Sequence, residues 1–225
     1  MPTLYIVATP IGNLEDITLR ALRILKEVDV ILCEDTRVSK KLMNHYGIQT
    51  QLMSYHANST QSKEDEIIAL LHKGTVCALI SDAGTPCISD PGTHLTARLY
   101  KEVPDIRIVA VPGASALIAA LSISGISLAE FTFLGFIPQK KGRQTFFENL
   151  KEHTSPVAFY ESPHRILKTL ESLVEYLEEH HTVIIAREIT KIHEEVVRGT
   201  AQEIVTYFED YPDHVRGEFV VIVCP

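Results

Sequence analysis

Two copies of Ser-Asp-x-Gly, Ser81-Asp82-Ala83-Gly84 and Ser89-Asp90-Pro91-Gly92, stand eight positions apart directly after the apolar run Thr75–Ile80. That run reads as a strand buried on both faces, so the loop leaves the carboxyl end of a parallel strand, where open α/β sheets bind ligands. Asp82 and Asp90 accept from hydroxyl or amino donors, and the glycines and prolines around them hold turns that leave backbone N–H groups free. Ala83, Gly84 and Thr85 belong to the same turn. A long turn-rich connection would use many of the same residues, and the segment alone leaves both readings open.

Three further segments share this placement. Thr9–Thr18 follows the first strand-like run and carries Pro10, Gly12 and Asn13, which suit an ordinary βα turn as well as a binding loop. Glu34-Asp35-Thr36-Arg37 follows the second run and is more polar than a turn requires. Val111–Ala116 offers Gly113, Ser115 and Ala116, small residues that let a ligand approach the backbone ahead of a helix amino terminus. Such loops at one sheet edge imply a common site. Ser115 has no G-x-S-x-G frame, which argues against a nucleophile.

The second half holds two denser clusters. Phe159-Tyr160-Glu161-Ser162-Pro163-His164-Arg165 combines aromatic rings, a carboxylate, an imidazole and a guanidinium. Tyr160 suits stacking on a ring and Arg165 pairing with a phosphate, although a capping turn with surface charges explains much of the same pattern. Ala186–Glu195 carries Arg187, Lys191 and His193, without the H-x-x-x-H or H-E-x-x-H spacing of a helical metal site. No metal is expected. The chain also lacks G-x-G-x-x-G after its first strand and a Walker A sequence anywhere.

The elements that must position these residues follow α/β patterning. Strand-like runs at Leu4–Ala8, Val30–Cys33, Thr75–Ser81 and Arg107–Val111 alternate with helical stretches around Ile17–Lys26, Val38–Tyr46, Glu64–His72 and His94–Lys101. A mainly parallel sheet is expected. After the apolar helix that ends at Leu121, Ser122–Leu128 is poor in charge and contains Gly125, which sets domains of 1–121 and 122–225. The second half gives strand-like Phe131–Phe136, Val157–Tyr160, Thr182–Ala186, Glu195–Arg198 and Glu218–Val223. Its two clear helices are His164–Leu177, with Ser162 as N-cap and Pro163 at the first position, and one opened by the capping box Thr200-Ala201-Gln202-Glu203.

Composition bounds the function classes. With 225 residues, 45% hydrophobic and 22% charged, the chain buries a full core and is neither disordered nor membrane-spanning. Residues 1–8 show no secretory signal, so a soluble cytoplasmic protein is expected. The cysteines at 33, 77, 87 and 224 form no CxxC pair, which argues against zinc and disulfides. A net charge of -8 excludes a protein that coats nucleic acid non-specifically, so any nucleic-acid site must be local.

Val7–Leu14, Glu34–Arg37, Ser81–Gly92, Val111–Ala116, Gly135–Pro138, Phe159–Arg165, Ala186–Lys191 and Arg198-Gly199, in this order, resemble the tetrapyrrole methylase superfamily. Within it they resemble the branch that methylates small-subunit ribosomal RNA. The resemblance implies two α/β domains with S-adenosylmethionine bound in the cleft between them, and a homodimer. It implies methyl transfer to the 2′-hydroxyl of a cytidine in the decoding centre of 16S rRNA, within the small ribosomal subunit. The superfamily loop that usually reads Gly-Asp-Pro stands here as Ser-Asp-Ala, so Asp82 carries over more directly than its neighbours. Pro10, Ala83, Gly84, Thr85, Gly113, Ser115 and Ala116 are the implied cofactor contacts of the first domain, with Tyr160 and Ala186 from the second.

Methyl transfer from a sulfonium is an in-line displacement, so alignment is the enzyme's main task. A ribose hydroxyl also gains from a base or from a cation beside the developing alkoxide. Glu161, His164 and Lys191 are the candidates. Asn13, Asp35, Arg37, Arg165 and Arg187 are the candidate substrate contacts. A tetrapyrrole or protein side-chain methylase would share fold and cofactor, and a non-catalytic ribosome-assembly module would bind without turnover.

Overall fold

The structure, a computed structural model, describes residues 1–127 and 129–225; Leu128, at the end of the charge-poor stretch, lies outside them. The chain divides into two compact units, Met1–Ser115 and Ala116–Pro225. The helix that follows Ser115 therefore groups with the second unit.

The first unit holds a five-stranded sheet in the order β3-β2-β4-β1-β5. Its strands are β1 (Thr3–Val7), β2 (Val30–Cys33), β3 (Gln51–Ser54), β4 (Val76–Leu79) and β5 (Arg107–Val111). Every pairing is parallel, as the continuous apolar runs require. β3 was not foreseen: Gln-Leu-Met-Ser is short, carries no β-branched residue, and lies at the sheet edge. The connecting helices are α1 (Leu19–Glu27), α2 (Thr36–His45), α3 (Gln61–His72) and α4 (Thr93–Glu102). Thr18 caps α1 by accepting the Ala21 N–H at 3.0 Å, and Asp35 caps α2 by accepting the Arg37 N–H at 2.8 Å.

The chain moves one way along the sheet through β1, β2 and β3, then reverses through β4 to β5. Right-handed crossovers then require the first two helices on one face and the next two on the other. The cores agree. Ile24, Leu25 and Met43 pack on Ile31, Ala78 and Val111, whereas Ile67, Leu71, Leu95 and Leu99 pack on Leu4, Leu32 and Leu79. Each such side chain contributes about 1.5–3 kcal/mol of burial. The reversal leaves β4 with neighbours whose following helices lie on the opposite face, and a crevice opens at their carboxyl ends.

The second unit begins with α5 (Ala116–Ile123) and holds a mixed sheet in the order β6-β7-β10-β8-β9. Its strands are β6 (Thr132–Phe136), β7 (Val157–Glu161), β8 (Thr182–Arg187), β9 (Glu195–Gly199) and β10 (Phe219–Cys224). β6 and β7 run parallel, and the remaining pairs are antiparallel. α6 (Arg143–Leu150), α7 (Ile166–Tyr176) and α8 (Ala201–Asp210) pack Phe147, Leu170, Leu173, Ile204 and Phe208 on Phe159, Ile185 and Val221. α5 packs on β10.

One helix was not foreseen and one expectation changes here. α6 lies outside the two helices expected of the second half, and it buries Phe147 and Leu150. Ser162 is not the cap of α7: Ser162–Arg165 forms a separate turn, and the helix starts at Ile166 after Arg165. The capping box at Thr200 and Glu203 is formed as expected.

Candidate active site

The loops after β1, β4 and β5 are stitched into one corner of the first unit. Thr9 and Gly84 form an antiparallel bridge, with N–H to O distances of 2.9 and 3.0 Å in the two directions. The Thr9 hydroxyl donates to the Ser81 carbonyl at 3.1 Å, the Thr85 hydroxyl to the Ala114 carbonyl at 3.1 Å, and the Ala8 N–H to the Val111 carbonyl at 3.2 Å. Pro10 and Gly84 are buried in this corner, while Asp82, Ala83 and Gly113 stay exposed. A Cβ on Gly113 would lie 3.0 Å from the Ala8 Cβ, so the backbones of β1 and β5 meet without side-chain bulk. Gly92, with φ +129, ends the same loop where a Cβ would come within 2.6 Å of Leu79 and Cys87.

Carboxylates gather beside this corner. The Asp35 N–H donates to Asp82 Oδ1 at 3.2 Å, which ties the Glu34–Arg37 segment to the β4 loop. Arg37 Nη2 lies 2.6 Å from Asp35 Oδ2, and this bidentate contact holds the Asp35 carboxyl at about 2. Burial pushes Asp90 up to about 6 against a hydrogen bond from Ser81, with Glu34 and Asp82 adding repulsion. Glu34 is likewise raised, first by burial and then by Asp82. An open polar pocket of about 510 Å³ lies over these groups, walled by Glu34, Arg37, Ser54, His56, Asn58 and Asp82. His56 and Asn58 follow the unforeseen β3, so nothing in their own sequence marked them.

In the second unit, β7 and β8 both pair with β10 in antiparallel fashion, which brings their carboxyl ends and the entry to β10 to one edge. Tyr160 and Ala186 both pair with Val220, so the three form one row across the sheet. The Leu117 N–H donates to the Tyr160 hydroxyl at 3.3 Å, which joins Ala116 and Tyr160 at the start of α5. Phe133 and Phe136 lie against the Tyr160 ring at 5.0 and 5.3 Å. Ala186 is fully buried.

The candidate bases occupy three different environments. Glu161 is buried and accepts from the Ser162 N–H at 2.8 Å, Arg165 Nε at 2.8 Å and the Thr169 hydroxyl at 2.7 Å. Arg165 also donates to the Ile137 carbonyl at 3.0 Å, so this carboxylate anchors the loops after β6 and β7. Lys191 Nζ lies 2.8 Å from Glu188 and 3.0 Å from Glu218. Burial disfavours its charge, but those two carboxylates outweigh burial and raise its pKa. His164 is exposed at the same edge. Arg187 is buried, pairs with Glu195 at 2.7 Å and donates to the Arg216 carbonyl at 3.2 Å. Asn13 caps the short helix Leu14–Asp16 by accepting the Glu15 N–H at 3.0 Å.

The corner of the first unit fits S-adenosylmethionine. Asp82 and bare main chain offer acceptors for ribose hydroxyls and an ammonium, and Ala83, Gly84 and Gly113 leave the backbone accessible. Among the described residues no group of acidic, histidine or cysteine side chains could hold a metal ion, and no helix is long and apolar enough to cross a membrane.

Comparison with known proteins agrees with this geometry. Residues 3–205 match the family of Tetrapyrrole (Corrin/Porphyrin) Methylases. A protein of Halalkalibacterium halodurans named ribosomal RNA small subunit methyltransferase I is 47% identical over 98% of this chain and 75% of its own length. Its namesake from Thermotoga maritima is 44% identical over 99% of this chain and 98% of its own. Among solved structures, uroporphyrin-III-C-methyltransferase from Thermus thermophilus superposes with a TM-score of 0.67 at 19% identity, over 100% of this chain and 94% of that one. A diphthine synthase reaches 0.73 at 11% identity, over 99% and 90%. These two likenesses carry the fold alone. With a family model matched over most of its length and relatives of one kind that align with nearly all of it, the chain belongs to the tetrapyrrole methylase family, on its ribosomal RNA small subunit methyltransferase I branch.

Proposed function

We propose that this chain transfers the methyl group of S-adenosylmethionine to the ribose 2′-hydroxyl of a cytidine in the decoding centre of 16S rRNA, acting on the small ribosomal subunit in the cytoplasm as a homodimer. The observation that supports this most is the identity of 44–47% with relatives of that name across nearly the whole chain.

Bound S-adenosylmethionine supplies an electrophilic methyl carbon and a good leaving group. The chain's task is to hold the 2′-oxygen in line and to take or offset its proton. Lys191, kept cationic by Glu188 and Glu218, suits stabilisation of a developing alkoxide rather than proton removal. His164, exposed at the same edge, is the group to which this reading assigns the proton. Glu161 serves by fixing the turn that carries His164. In the first unit, Asp82 orients hydroxyl or ammonium groups through the oxygen that Asp35 leaves available.

The deciding experiment is tritium transfer from labelled S-adenosylmethionine to purified small subunits lacking this methylation, with nuclease mapping of the product. Label on a cytidine 2′-oxygen is the expected result. Cofactor binding without label on RNA would shift the substrate to a small molecule or a protein, and absence of cofactor binding would refute the methylase reading.

A further inference from the structure

Glu34 differs from most of the part-buried carboxylates of this fold. Glu64 holds Tyr55, His94 and Arg98; Glu161 holds Arg165 and Thr169; Glu188 holds Lys191; and Glu195 holds Arg187 and His214. Glu34 sits at the end of β2 in the wall of the open pocket, and no described residue donates a hydrogen bond to it. Glu34 lines this open pocket, and its carboxylate is available there to accept from a ligand.

The rest of the wall narrows the ligand. Asp35 and Asp82 make the pocket acidic despite Arg37, so it repels a phosphate and favours a group that brings N–H donors. His56 and Asn58 line the same pocket, on a turn closed by two bonds of 2.8 Å, from the His56 N–H to Ser59 Oγ and from the Ser59 N–H to the His56 carbonyl. That turn offers ring and amide donors as well as acceptors. A cavity lined by both an acceptor and donors suits cytosine, whose amine donates at N4 while N3 and O2 accept.

We infer that the pocket at the carboxyl ends of β2, β3 and β4 receives the base of the target nucleotide, with the Glu34 carboxylate accepting from the cytosine N4 amine and the His56–Asn58 turn facing its acceptor edge. The inference rests on the proposed RNA substrate. The base must be splayed out of its stack to enter, as single-stranded RNA segments permit. Glu34 is thereby a residue of base specificity, separate from the transfer step itself.

The test compares wild type with Glu34→Gln on small subunits bearing cytidine or uridine at the mapped position. It adds equilibrium binding of short single-stranded oligonucleotides that differ only in that base. Glu34→Gln should fold normally because it breaks no internal hydrogen bond, which thermal unfolding checks. The expected result is a fall of roughly ten- to hundred-fold in kcat/KM on cytidine. Activity on uridine should be unchanged or improved, and affinity for S-adenosylmethionine unchanged by calorimetry. A retained cytidine preference in Glu34→Gln overturns the inference. So does a loss of cofactor affinity with base preference intact, which would assign Glu34 to the cofactor ammonium. If wild type labels no RNA, the proposed function fails on its own terms. Oligonucleotide binding then decides the pocket: a cytidine preference that Glu34→Gln abolishes supports it, and equal binding of both bases refutes it.

Discussion

Replacing Glu161 by Ala removes the anchor of three segments at once. The substitution leaves the Ser162 N–H and the Thr169 hydroxyl without their acceptor, and strands Arg165 and Arg143, whose side chains are only 23% and 13% exposed. Breaking a buried ion pair from one side costs about 3–5 kcal/mol. Arg165 keeps the Ile137 carbonyl, and Arg143 keeps the Thr169 hydroxyl and the face of Phe147 at 5.0 Å, so the low end applies, about 3 kcal/mol. For a chain of this size that lowers Tm by roughly 6–12 °C. Glu161→Gln keeps the shape and one acceptor, and should cost about 1–2 kcal/mol. Urea unfolding followed by circular dichroism, together with calorimetry, reads both variants. A double-mutant cycle with Arg165→Ala should show coupling above about 1 kcal/mol, because the second substitution removes the stranded charge. A Glu161→Ala variant within 1 kcal/mol of wild type, or strictly additive substitutions, would refute the anchoring argument.

Other outcomes follow from the same geometry. Asp90, pushed up to about 6 from an unfolded value near 3.8, favours the folded state below pH 4, and that contribution is lost as pH rises through 6. Asp90→Asn should therefore stabilise the protein at pH 7.5 by about 1 kcal/mol after allowance for partial exposure, with the difference vanishing toward pH 4 in pH-resolved unfolding. Gly217→Ala forces a Cβ into the Glu188 carboxyl at φ +87 and should destabilise by about 1–3 kcal/mol, a loss that Glu188→Ala partly rescues. Lys140 and Lys141 are exposed side by side just ahead of α6, and replacing both by Ala should weaken RNA binding and lower the salt slope by about 2, with cofactor affinity unchanged; a constant slope would mean that neither lysine meets a phosphate.

Strands built from β-branched runs, such as Val30–Cys33 and Thr182–Arg187, were legible because their burial on both faces needs no knowledge of neighbours. β3 was not, since Gln51–Ser54 becomes a strand only by pairing with β2 at the edge of the sheet. The motif loops announced a site, but not its walls. The bond between the Asp35 N–H and Asp82 joins residues 47 positions apart, and the pocket exists only because the chain reverses direction and sets β4 beside β2. Glu161 shows the opposite limit: its sequence neighbours suggested catalysis, and only the fold reveals that Thr169, Arg165 and Ser162 donate to its oxygens.

The strand orders also govern how the chain can assemble during synthesis. β1 lies between β4 and β5, so a strand finished at Val7 waits for Val111 before both its edges are covered, roughly 5–20 s at ribosomal speed. In the second sheet the central place belongs to β10, and until Phe219–Cys224 is made the β6-β7 and β8-β9 pairs have no strand to join them. Each nascent sheet thus exposes apolar strand edges for most of its translation, which marks these intermediates as substrates for chaperone capture and makes the last six-residue strand the latch of its unit.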